Sequence, residues 1–116
     1  MTTKRIVSGA HYGLRDWLGQ RVTAIALVLY SLYLLISVLS VPRLTYASWY
    51  GLFLNPFMKV ATLLAMLALI YHAWVGLRDV LMDYIQKTWM RLSLETLTLG
   101  LLAGYACWTV IILWRI

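Results

Sequence analysis

Three long apolar runs dominate the chain: Val22–Val41, Phe57–Met82 and Leu92–Trp114. Each reaches the roughly 20 residues that a helix needs to cross about 30 Å of hydrocarbon, and each carries few charges between its ends. The first run is closed by Pro42, and the second opens just after Asn55-Pro56. Apolar residues follow one another without the two-residue alternation of a barrel strand, which excludes a transmembrane β-barrel. The pattern therefore predicts an all-α integral membrane protein with spans at about 22–41, 57–82 and 92–114. The connections, Pro42–Pro56 and Asp83–Arg91, are too short for soluble domains, so residues 1–116 form one membrane domain. Lys4 and Arg5 precede the first run as they would in a signal peptide. That run starts only at Val22, is longer than a signal's apolar region and has no A-x-A site behind it, so it reads as a retained anchor.

Composition agrees. Of 116 residues, 63% are hydrophobic and 12% charged, about half the charge usual in soluble domains. The net charge of +6 comes from ten Lys and Arg that mostly flank the apolar runs. This distribution suits lipid head groups and excludes a soluble nucleic-acid binder. Cys107 is the one cysteine, so neither a disulfide framework nor a metal cluster is available. With the N-terminus inside, Lys4, Arg5, Arg15, Arg21, Arg78, Lys87 and Arg91 lie on the inner side, against Arg43, Lys59 and Arg115 outside. The positive-inside rule then favours N-in, C-out. Trp17, Trp49, Trp89 and Trp114 fall near the predicted interfaces, and Tyr12–Gln20, which mixes Leu14, Trp17 and Leu18 with Arg15 and Asp16, is expected along the inner surface. The spacing Gly100-x-x-x-Gly104 allows close helix packing, either within the chain or against another subunit.

His72 stands at membrane depth in the second span, where ionisable groups are costly and usually functional. Three readings fit it: a neutral histidine hydrogen-bonded to a Ser, Thr or carbonyl on a neighbouring helix, a haem iron ligand, or a proton relay. At 3.6 residues per turn, Ala65, Ala68, His72, Gly76, Asp79 and Asp83 share one face of small or polar residues, which belongs in a protein interior. Asp83 lies about 16 Å beyond His72 along the axis, and Gly76, one turn away, leaves room for a flat macrocycle. Asp83-Tyr84 closes the span at the inner interface. It reads as an ordinary interfacial pair or as a polar pocket in which a tyrosine hydroxyl donates to a quinone carbonyl. Arg21 begins the first span and either snorkels to head groups or meets haem propionates. Lys87, Arg91 and Glu95, spaced i, i+4, i+8, are expected to form a solvated ladder, and His11 receives no role. Six-coordinate haem needs two axial ligands. The chain has one intramembrane His, and Met66, on the same helix, cannot reach the opposite face. A second ligand would come from a partner, so three helices with a polar stripe suggest half of a larger bundle.

The residues resemble the smaller hydrophobic membrane-anchor subunit of bacterial succinate dehydrogenase, respiratory complex II, from about Gly13 to the C-terminus. The resemblance rests on Arg21-Val-Thr-Ala-Ile-Ala-Leu, on Leu44-Thr-Tyr-Ala-Ser-Trp, and above all on His72-Ala-Trp-Val-Gly-Leu-Arg-Asp-Val-Leu-Met-Asp83-Tyr84. It implies that His72 is an axial ligand to a haem b shared with a companion cytochrome b anchor subunit, and that Arg21 contacts a propionate. It further implies that Tyr84, with Asp83 beside it, hydrogen-bonds ubiquinone near the iron–sulfur subunit. Arg15 stands where close relatives can have histidine. The flavoprotein and iron–sulfur subunits would carry succinate oxidation and the clusters, and the heterodimeric anchor would sit in membrane lipid of the bacterial inner membrane. Whether several four-subunit complexes assemble further stays open. The competing readings are a fumarate reductase anchor, which runs the chemistry in reverse with menaquinol, and a non-catalytic scaffold or small transporter subunit.

Overall fold

The structure, a computed structural model, describes the backbone of residues 8–116 and the side chains of residues 13–116. Lys4, Arg5 and the side chain of His11 lie outside the described residues. Four helices follow in chain order: α1, Ser8–Leu39; α2, Tyr46–Leu52; α3, Pro56–Tyr84; and α4, Thr88–Arg115. Three of them are long and apolar enough to cross a membrane, over Gly13–Leu39, Pro56–Tyr84 and Thr88–Arg115. No strand occurs among the described residues. All backbone groups within such helices are satisfied internally, as hydrocarbon demands.

The first span differs most from its expected bounds. It begins well before Val22 because Tyr12–Gln20 is not a separate surface segment: it is continuous with the rest of α1. Arg15 and Asp16 are compatible with a helix, and nothing in that stretch breaks one. The helix also stops before Pro42, at Leu39, and two turn hydrogen bonds close it, Ser40 N to Ile36 O at 2.9 Å and Val41 N to Val38 O at 3.2 Å. At the other connection, α3 runs two residues further than predicted and α4 starts four residues earlier. Ile85–Lys87 is all that remains between them, a tight antiparallel hairpin.

Asn55 caps α3, its side-chain oxygen accepting from Phe57 N at 2.9 Å, with Pro56 at the first position where its missing N–H costs nothing. The loop between spans one and two holds an element the hydropathy pattern did not show. Thr45 and Ser48 form a reciprocal capping box that starts α2. This short helix sets Trp49 against Phe53, ring centroids 5.1 Å apart, and Phe53 is buried with Met58 and Leu113. The end of the molecule where α3 starts and α4 finishes is thus closed by a small apolar cluster. Lys59 Nζ also donates to the Ile116 carbonyl at 3.1 Å, joining the start of α3 to the end of α4.

Helices α1 and α4 both pack on α3 and make no comparable contact with each other. The chain is a layer with α3 in the middle rather than a closed bundle, and the buried apolar residues among those described number six: Phe53, Met58, Ala65, Val75, Leu81 and Leu113. Gly100 and Gly104 have nothing within 4 Å of where a Cβ would stand, so their spacing does not serve packing inside this chain. Lys87, Arg91 and Glu95 form no ion pair with one another; Lys87 is the N-cap of α4, and its carbonyl accepts from Arg91 N at 3.0 Å.

Candidate functional site

The α1–α3 contact is a ladder of polar and aromatic pairs in antiparallel register. From one end it runs through an Asp16–Arg78 ion pair, Tyr71 against Gly19, Gln20 beside Gly76, and Thr23 with His72 at 3.1 Å. It ends with Tyr30 and Thr62 hydroxyls 2.7 Å apart and a perpendicular Tyr33–Phe57 ring pair at 5.8 Å. Interhelical hydrogen bonds of this kind, together with small residues that let backbones approach, replace the hydrophobic drive that lipid removes.

His72 is half-buried and faces α1. Its Nδ1 meets the Thr23 hydroxyl, whereas Nε2 makes no hydrogen bond among the described residues. The hydroxyl partner on a neighbouring helix is therefore present, and it leaves the second ring nitrogen available. The stripe containing His72 divides. Ala65 is buried and Ala68, His72 and Gly76 are half-buried, whereas Asp79 and Asp83 are exposed. The first part packs within the chain, and the two carboxylates reach beyond it.

Arg21 lies within α1, which continues on its N-terminal side without a break. It is two residues from Thr23, about 3 Å along the axis, so it sits near the depth of His72. At 100° per residue the two side chains leave α1 on nearly opposite sides, which keeps Arg21 out of the α1–α3 contact. Its guanidinium stacks over Trp17, 5.2 Å from the ring centroid, on the exposed side of the helix. Asp83 and Tyr84 are the last two residues of α3, and both are exposed, Tyr84 to 78%. The structure thus leaves two separate places on one helix, His72 within the span and Asp83-Tyr84 at its end.

Between them lies a groove of about 320 Å³ lined by Gly13, Asp16, Trp17, Gln20, Val75 and Asp79. Gln20 Oε1 is buried there without a hydrogen-bond partner among the described residues. A larger groove of about 520 Å³ opens between α3 and α4, lined by apolar residues such as Met66, Ile70, Ala73 and Trp108, and it does not include His72. The pattern of the sequence did not single out Thr23, Gly19, Tyr71, Gln20 or the Asp16–Arg78 pair. Only the last had a readable signal, since opposite charges at the same end of two neighbouring spans tend to meet.

Comparison with known proteins places the chain in a family. Residues 1–113 match the family described as succinate dehydrogenase/fumarate reductase transmembrane subunit. A succinate dehydrogenase hydrophobic membrane anchor subunit from Coxiella burnetii is 36% identical over 102 residues, covering 88% of this chain and 89% of that protein. One from Rickettsia bellii is 36% identical over 87 residues, covering 75% of this chain and 66% of that protein. Three membrane-length helices and these similarities together establish that the chain belongs to the succinate dehydrogenase/fumarate reductase transmembrane subunit family.

Proposed function

We propose that this chain is the smaller membrane anchor of a succinate:ubiquinone oxidoreductase, that it holds haem b through His72, and that Asp83 and Tyr84 help form the ubiquinone pocket. The observation that carries the reading is His72 itself: an imidazole deep in an apolar span whose Nδ1 is engaged by Thr23 and whose Nε2 has no partner among the described residues. The residues present fit a haem. The site offers one nitrogen donor and a small-residue flank at Ala68 and Gly76; Arg21, on the far side of α1 over Trp17, would reach a propionate only by leaving that ring. Beyond Gly76, a Cβ would meet only Gln20 Nε2, at 3.6 Å. No group of three metal-binding side chains exists among the described residues, so a lone histidine suits a macrocycle that brings its own four nitrogens. A second iron ligand would come from the companion cytochrome b anchor, for which the open layer of three helices leaves uncovered faces. Bound haem supplies reversible one-electron storage.

This chain's own residues do the rest. Tyr84 offers a hydroxyl hydrogen to a quinone carbonyl, and Asp83 beside it holds a carboxylate at the mouth of the same pocket. The two stand about 16–18 Å of helix rise from His72, at the end of α3 that would face the iron–sulfur subunit. Succinate oxidation and the iron–sulfur relay lie in the flavoprotein and iron–sulfur subunits. The location we propose is the bacterial inner membrane, N-terminus inside, with an odd number of spans placing the two ends on opposite sides.

The family description covers both directions of the reaction, and the two named relatives, both called succinate dehydrogenase anchors, favour succinate oxidation over fumarate reduction. The test is to purify the tagged chain from membranes in mild detergent. A flavoprotein, an iron–sulfur protein and a second anchor should accompany it, with a low-spin haem in the reduced-minus-oxidised spectrum that His72→Ala abolishes. A chain that purifies without them, or a spectrum unchanged in His72→Ala, overturns the proposal.

A further inference from the structure

The Thr23 hydroxyl has one hydrogen and three groups within reach: the Gly19 carbonyl at 2.7 Å, the Gln20 carbonyl at 3.1 Å and His72 Nδ1 at 3.1 Å. Carbonyl oxygens only accept, and 2.7 Å is the usual length of a good O–H···O bond. The hydrogen therefore goes to Gly19, in the bond back to the fourth preceding residue that threonine commonly makes in helices. Oγ1 then faces His72 with lone pairs. A bare Nδ1 would oppose lone pair to lone pair, whereas a protonated Nδ1 donates to it. In a neutral imidazole only one nitrogen carries hydrogen, so Nε2 is left with its lone pair free.

We infer that Thr23 is a positioning residue that fixes His72 as the Nδ1–H tautomer, presenting Nε2 to the haem iron. The inference rests on the haem reading above. A second feature supports it. Tyr71, next to His72 on α3, packs on Gly19, one turn from Thr23 on α1, so closely that a Cβ would fall 2.6 Å from ring Cε1. The same glycine thus sets the helix separation and accepts the threonine's hydrogen. The resulting chain, Nδ1–H to Oγ1–H to the Gly19 carbonyl, ties the imidazole to the backbone of α1. Partners of this kind orient a ligating histidine and raise its basicity, and their loss typically costs about 10- to 100-fold in metal affinity or activity.

The test uses the whole purified complex carrying Thr23→Val, Thr23→Ser or His72→Ala. Haem content, the ferric low-spin EPR spectrum and the haem midpoint potential are measured in each. Thr23→Val keeps the shape and removes the hydroxyl, so the ligand becomes less basic, the ferric state is favoured less and the potential rises, with haem retained about tenfold less tightly. Thr23→Ser restores wild-type values. Wild-type spectrum, potential and haem content in Thr23→Val overturn the inference, as do equal changes in the Ser and Val variants, which would point to side-chain shape. Should the Val variant fail to assemble, Thr23→Ser decides: wild-type values sustain the inference and altered values overturn it. The His72→Ala variant separates the two levels. Its loss of the low-spin signal with Thr23→Val unchanged removes only the role of Thr23, whereas its retention of that signal removes the haem reading as well.

Discussion

The Tyr71 ring occupies the space that a side chain at Gly19 would need, with its Cε1 and Cζ at 2.6 and 2.8 Å from the position of a Cβ. This contact brings α1 and α3 together at the level of His72. Helices in lipid gain little from burying one apolar surface against another, so a missing side chain that permits close approach is a main source of their association.

Substitution at Gly19 should therefore be costly where the same change elsewhere is not. We predict that Gly19→Ala destabilises the solubilised complex by about 1–3 kcal/mol, the usual range for overpacking. The same change at Gly13, which has nothing within 4 Å, should be nearly silent. Thermal denaturation of the two variants side by side measures this. Equal shifts would mean that helix propensity rather than packing governs the result.

The Asp16–Arg78 pair closes the same interface, with side chains 29% and 30% exposed. Partial exposure limits its worth, and a coupling of about 1 kcal/mol is expected from a double-mutant cycle with Asp16→Asn and Arg78→Gln. Each single variant should lower the melting temperature, and the double variant should lose less than their sum. Additive effects would show that the two side chains act independently.

Tyr84 touches nothing that holds the fold, so its hydroxyl can be removed cleanly. Tyr84→Phe should leave haem content and assembly at wild-type levels while lowering quinone reduction by about tenfold, the equivalent of one hydrogen bond of roughly 1.4 kcal/mol. Steady-state assays with ubiquinone as acceptor report on this. Normal turnover in the variant would take Tyr84 out of the quinone site.

Between α1 and α3, α2 depends on its cap more than on its length, because seven residues are too few to be helical alone. Thr45→Ala should cost about 1 kcal/mol and loosen the cover that Trp49 and Phe53 give to Met58 and Leu113. Faster proteolytic cleavage within residues 40–55 is the expected signature, with the haem spectrum unaffected. Unchanged cleavage would show that aromatic packing alone holds the segment.

The spacing within the candidate site was legible because His72, Asp83 and Tyr84 lie on one helix. The interval from His72 to Asp83 and Tyr84 is fixed by helical rise once α3 is known to be continuous, and α3 is continuous from Pro56 to Tyr84. The number of spans was legible for a related reason: only about 20 apolar residues in a helix can cross hydrocarbon with every backbone group satisfied. The bounds were less so. Hydropathy finds the apolar middle of a helix, whereas the backbone hydrogen bonds of α1 continue through Arg15, Asp16 and Arg21, and those of α4 start at Thr88.

Tertiary structure alone decided which residues of α1 meet α3. Apolar side chains satisfy lipid and protein about equally, so their pattern does not reveal which helical face touches which neighbour. That choice depends on where small and polar side chains interlock across two helices. The pairing of Thr23 with His72, the seat of Tyr71 on Gly19 and the removal of Arg21 to the far side of α1 all follow from one interhelical register. The sequence determined that a histidine lies deep in an apolar span, in line with Asp79 and Asp83 and eleven residues before a helix end at Asp83-Tyr84, because spacing along a helix is local geometry. That its Nδ1 is held by a threonine 49 residues away was decided only when the two helices packed.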